Sequence, residues 1–176
     1  LVQYNTSDWD FIVSRMDRLG KIVLADAGTV SARQPDLAAA TVLDVQFGNN
    51  VLEFNASIDA RTQIKDLSVS SWNPGSQDMD TTDADFGGDT AGNLSPDDLS
   101  DALKTTALDI RTTATLEEEE RQHLADARKM KNVLGKIRGS VKFFGDTRVH
   151  AGDVVSLKGV GDRFSGTAFA GSVTHE

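Results

Sequence analysis

At 176 residues, with 39% hydrophobic content and no cysteine, the chain is long enough for one barrel-sized core plus a smaller appended unit, and it excludes disulfide stapling and thiol catalysis. Its net charge of −9 is local: Asp66, Asp78, Asp80, Asp83, Asp85, Asp89, Asp97, Asp98 and Asp101 stand in a stretch without Lys or Arg, and the other eighteen acids equal the eighteen basic residues. That stretch disfavours nucleic acid and anionic lipid, whose phosphates require clustered cations, and no run approaches the eighteen or so apolar residues of a membrane helix.

Residues 1–4 offer an extended strand. Ser7 then caps a helix, with Asp10 where the reciprocal acceptor of a capping box belongs. Trp9, Ile12, Val13, Met16 and Leu19 recur at helical spacing, which predicts one buried face anchored by Trp9, and Gly20 ends the helix. Residues 21–25 and 29–32 read as a hairpin turning at Asp26-Ala27-Gly28, and Pro35 marks a crossing. The first 36 residues therefore form a small α/β unit, too small to stand alone and expected to continue upstream. Because the chain opens on Leu1, it is expected to be a piece of a longer protein.

From Thr41 the pattern turns to strands: residues 45–47, a turn at Gly48-Asn49-Asn50, residues 52–54, and a long run over 62–72. Imperfect alternation through Ile64 and Leu67 predicts a bulge there. Residues 74–100 hold few apolar groups and read as a mobile acidic loop, with a helical turn at Ser95-Pro96-Asp97-Asp98. Leu108, Ile110 and Thr112 alternate as a strand. Thr115 and Glu118 then fit a capping box for a helix over 116–134, with Leu116, Glu120, His123, Leu124, Ala127, Lys131 and Leu134 as its inward stripe. Strands over 136–144, 153–157 and 167–174 follow, with a tight turn at 159–165. The fold class is α+β and predominantly β: an antiparallel barrel over 37–176 with a small helix-plus-hairpin unit and one long helix.

Five aspartates, Asp78, Asp80, Asp83, Asp85 and Asp89, present oxygens that suit a hard cation, but they miss the register of a calcium loop and no Glu follows them. His123, His150 and His175 belong to no metal-binding spacing. Glu117, Glu118, Glu119 and Glu120 point all round a helix axis rather than into one cleft, and they suit its positive N-terminal end. Gly159-Val160-Gly161 lacks the third glycine and the following helix of a dinucleotide site, and no nucleophile elbow occurs. Trp72, at a strand end before Pro74, is a candidate subunit contact. No catalytic, cofactor-binding or metal-ligating residue is assigned, no cofactor is expected, and the chain is not expected to be an enzyme.

Several segments, in order, carry a family likeness. The opening residues 1–12, Phe47-Gly48-Asn49-Asn50-Val51-Leu52-Glu53-Phe54, Ile58-Asp59-Ala60-Arg61-Thr62-Gln63 and Trp72-Asn73-Pro74 resemble the hub region of VgrG-type spike proteins. So do Ile137-Arg138-Gly139, Ala151-Gly152-Asp153-Val154-Val155, Gly159-Val160-Gly161-Asp162-Arg163-Phe164 and Val173-Thr174-His175-Glu176. These proteins, which include Rhs element Vgr proteins, are baseplate hubs of type VI secretion systems, contractile phage tails and related injection machines. The resemblance implies a structural module that assembles as a homotrimer, seats an Hcp-like inner-tube hexamer and leads into a membrane-piercing spike. It further implies assembly in the bacterial cytoplasm or virion baseplate and outward delivery, with no nucleic-acid partner and no membrane embedding of this piece. The alternatives are a metal-assisted hydrolase, using the aspartates with His150 or His175, and a calcium-dependent carbohydrate-binding β-module.

Overall fold

A computed structural model describes residues 2–26, 28–88 and 91–175. The polypeptide divides into two compact units, one built from residues 1–35, 66–86 and 108–131, the other from 36–65, 87–107 and 132–176. The first boundary falls at the Pro35 crossing. The linear division into 1–36 and 37–176 does not contain the further exchange, in which two later segments group with the N-terminal one.

In the first unit, helix α1 (Asp8–Arg18) starts where Ser7 Oγ accepts the Asp10 amide at 3.1 Å. The Asp10 carboxylate takes the Ser7 hydroxyl at 2.7 Å, so the cap is not the backbone-reciprocal box the sequence suggests. Asp8 and Asp10 at its start and Arg15 and Arg18 at its end complement the helix dipole. Strands β1 (Ile22–Asp26) and β2 (Thr29–Arg33) form the expected antiparallel hairpin, pairing Ile22 with Arg33 and Asp26 with Thr29; Ala27 at its turn lies outside the described residues. The strand expected over 1–4 does not form at 2–4, where Val2 and Tyr4 are exposed, and Leu1 lies outside the described residues. Nor does α1 bury a face. None of its residues is buried and Trp9 is 46% exposed, so the expected anchor is a surface residue. An eleven-residue helix beside a two-stranded hairpin has too little partner surface to enclose an indole.

The rest of this unit is a three-stranded sheet ordered β6-β5-β7, from β5 (Asp66–Asn73), β6 (Asp78–Asp83) and β7 (Ala107–Thr112). The segment 74–100 is thus not one mobile loop. Asn73 Oδ1 accepts the Gly75 amide at 2.9 Å and Gln77 adopts φ 55°, which closes a turn and returns the chain antiparallel along β5 from Asn73–Asp78 to Ser68–Asp83. The acidic side chains are tolerated because Arg121, buried, lies beneath them: Nε donates to Thr82 Oγ1 at 3.0 Å and Nη1 lies 3.7 Å from Asp80. Leu67, Val69 and Ala125 form the core here, with Ala84, Leu108, Ile110 and Leu124 packed around them.

Helix α3 (Glu118–Leu134) begins later than expected, with the Glu117 carbonyl taking the Arg121 amide and Glu120 accepting the Glu117 amide at 3.3 Å. Its buried positions are Arg121, Ala125, Ala127, Met130 and Val133; of the expected stripe, Glu120 and His123 are exposed. Small and adaptable side chains set that face, and reading it from Leu positions rotates it by about one residue.

In the second unit, β9 (Val154–Lys158) sits between β10 (Gly166–Phe169), antiparallel, and β3 (Leu43–Gln46), parallel. Strand β4 (Val51–Ile58) pairs antiparallel with β8 (Ile137–Phe143). The expected bulge between Ile64 and Leu67 is absent, since residues 61–65 form an irregular turn before β5; the irregularity lies in β4, where Leu52 falls between the pairs Val51–Phe143 and Glu53–Lys142. Val45, Val149, Val155 and Leu157 form the core, ringed by Val51, Phe54, Val141 and Phe143 among others, and Phe54 meets Phe164 edge to face at 5.9 Å. Helix α2 (Pro96–Leu103) carries a complete capping box between Ser95 and Asp98. The chain is predominantly β with helices, as expected. Its described strands make four open sheets, in one of which β3 and β9 run parallel, and no closed barrel is seen among them.

Candidate functional site

The acidic residues do not converge. Asp78 Oδ1 accepts the Met79 amide at 2.7 Å, Asp80 accepts Asn73 Nδ2 at 2.9 Å, and the Asp85 amide donates to Asp126 Oδ1 at 2.7 Å. Asp89 lies outside the described residues. No group of three His, Cys, Asp or Glu side chains with metal-binding geometry occurs among the described residues. His123 is exposed on α3, His150 Nδ1 stands 3.7 Å from Asp153, and His175 is exposed near the chain end. Glu117 to Glu120 are exposed at the start of α3, and Gly159 to Gly161 belong to a turn rather than to a strand-to-helix junction.

Polar groups of the second unit are paired locally. Arg61 holds Asp59 through bonds of 2.9 and 2.8 Å and lowers its pKa to about 2; Arg148 does the same to Asp146, also to about 2. The hydrogen bond from Lys158, 2.7 Å from Asp44, lowers that carboxyl as well. In the first unit Asp109 is lowered by Arg111 and by the Ser70 hydroxyl at 2.7 Å. Such pairs order a surface.

The exposed apolar groups are more informative. On the first unit's sheet, Trp72 of β5 lies opposite Met79 of β6, and with Arg111, Thr112 and Thr113 they line a shallow, mainly apolar depression of about 310 Å³. A wider recess of about 550 Å³, open to solvent, is lined by Gln3, Asn5, Thr6 and Ser7. Gln3 Nε2 there donates to the Thr6 carbonyl and to Asp8. In the second unit Phe47, Leu52 and Phe144 are 61%, 55% and 61% exposed. The β4 irregularity turns Leu52 outward, and the Phe144 amide donates to the Asn50 carbonyl at 3.0 Å at that same strand end. Sequence reading singled out Trp72 as a contact but none of these three; for Phe47 and Phe144 the signal is an aromatic residue directly before a turn glycine, at Phe47-Gly48 and Phe144-Gly145, and Leu52 carries none.

A family model described as the Alg8 N-terminal domain matches residues 1–176. The chain belongs to the Alg8 N-terminal domain family. No curated protein matches it. Among solved structures, the domain is similar to the 43 kDa tail protein of prophage MuSo2 from Shewanella oneidensis, with a TM-score of 0.61 and 8% sequence identity. The likeness covers 94% of this chain and 47% of the tail protein, so the domain spans about half of that protein's length. At such low identity it is the fold that is shared. The family shown is therefore not the VgrG family that the sequence resembles, and what the domain has in common with a phage tail protein is its fold. Among the described residues no helix is long and apolar enough to cross a membrane.

Proposed function

We propose that the chain is a structural hub module of a contractile, tail-like injection machine, VgrG-like in role, acting as a homotrimer that adapts an inner-tube ring to a spike. The observation that carries this reading is the likeness in fold to a prophage tail protein over 94% of the chain. Open sheets support it: β4 and β8 form a two-stranded ladder of eight and seven residues, marginal alone, whose outer edges suit pairing with further strands. A barrel closed between copies would remove those edges. The exposed Trp72 and Met79 and the exposed Phe47, Leu52 and Phe144 supply apolar contact groups of the kind that interface cores use. On this reading the side chains make and break no covalent bond, no cofactor is needed, and the module works within a tail-like particle assembled in the cytoplasm.

Co-expression with an inner-tube ring protein, followed by electron microscopy, tests the reading. The expected image is a ring seated on a three-fold particle. A chain that stays apart from every ring, or one that hydrolyses a substrate in a metal-dependent way, contradicts it. The calcium and hydrolase alternatives predict a large rise in melting temperature on adding calcium, reversed by chelator, whereas the hub predicts none.

A further inference from the structure

Gln63 and Asn132 hold two amides that meet only in part. Gln63 is 0% exposed, and its Nε2 donates to the Asn132 carbonyl at 2.7 Å. Its Oε1 and the Asn132 Nδ2 each expose less than 1 Å² and have no hydrogen-bond partner among the described residues. The orientation of the Gln63 amide is fixed by the carbonyl it serves, because turning it over would aim Oε1 at the Asn132 oxygen. One orphan is an acceptor and the other a donor, on residues already joined through the Asn132 main-chain carbonyl. They sit where segments of the second unit are gathered: Thr105 Oγ1 donates to the Gln63 carbonyl at 3.0 Å, the Gln63 amide to Ala60 at 3.1 Å, and the Asp59 amide to Lys136 at 2.9 Å.

We propose that a single water molecule is bound here, donating to Gln63 Oε1 and accepting from Asn132 Nδ2, as an internal hydration site that ties the segment around Gln63 to the end of α3. Buried polar groups are almost always satisfied, and a water with two or more polar partners satisfies them nearly as well as a direct bond. The cost of immobilising it is offset by two hydrogen bonds that otherwise go unmade. Neither group can reach bulk solvent instead.

A crystal structure of the whole chain, at a resolution that places ordered water, tests the assignment. The expected result is a density peak within hydrogen-bond distance of both atoms, present in the native protein and missing in Gln63→Met. Direct pairing of Gln63 Oε1 with Asn132 Nδ2 would overturn it, as would both atoms remaining without a partner, or a peak that persists unchanged in Gln63→Met.

Discussion

Arg121 lets an acid-rich strand join a sheet. Its guanidinium is buried and serves Leu116 O at 2.6 Å, Thr82 at 3.0 Å and Ser71 at 3.3 Å, while balancing Asp80. Removing it leaves acceptors without donors, so Arg121→Ala should cost about 2–4 kcal/mol in urea unfolding, with the loss centred on β6. Lys136 plays a similar part in the second unit. It is 1% exposed and donates to the Leu94 carbonyl at 2.7 Å, pinning the segment that enters α2. Lys136→Met should lower stability by about 1–3 kcal/mol and speed proteolysis of residues 91–95. Asp59 and Asp146 give a pH signature. Both have folded pKa values lowered from 3.8 to about 2, so their contribution is complete above about pH 4 and is lost as pH falls toward 2. Melting curves of Asp59→Asn and Asp146→Asn should therefore lie below wild type at neutral pH and converge with it near pH 2. Persistent separation there would contradict the assignment.

At the scale of elements, caps were the most legible features. Ser7 and Ser95 start α1 and α2 where local chemistry places them, because capping is decided within four residues. Ser95→Ala should cost about 0.5–2 kcal/mol by thermal or urea denaturation. The β1–β2 hairpin and β7 were legible for the same reason, each being a short alternating run bounded by turn residues. Partners distant in sequence were not. Nothing in Val45 or Leu157 announces that β3 lies parallel to β9, and β6 hid behind its aspartates although Thr81 and Thr82 are good strand residues. The bulge was expected one strand too late because alternation near Ile64 breaks at a turn, while Leu52 is expelled by the register with β8. Gly139 marks that register. A Cβ there would collide with the Asn55 carbonyl and stand 2.8 Å from Ala56 Cα, so Gly139→Ala should cost about 1–3 kcal/mol and weaken the β4–β8 ladder in hydrogen exchange. Gly92 is held by two constraints, φ 93° and the Arg163 carbonyl where its Cβ would be.

For the whole molecule, composition gave the correct class of a β-rich chain with a local acidic excess, but not the way the chain divides. Two segments, 66–86 and 108–131, group with the N-terminal helix and hairpin, which no reading along the chain could foresee, because each alone is an ordinary strand or helix pattern. Of the exposed apolar groups Trp72, Met79, Phe47, Leu52 and Phe144, only Trp72 was legible in the sequence as a contact. Phe47, Leu52 and Phe144 became visible once the strand end was built, since exposure is a property of packing rather than of residue type. Their exposure, on a unit whose described sheets are open, is what the proposed hub role would use. The most direct measurement is the mass of the chain in solution by light scattering across a range of concentrations. The hub account predicts a particle of three 18.9 kDa chains that reverts toward one when Trp72 and Phe144 are both replaced by serine. A strictly monomeric chain at every concentration, unchanged by those substitutions, would contradict it.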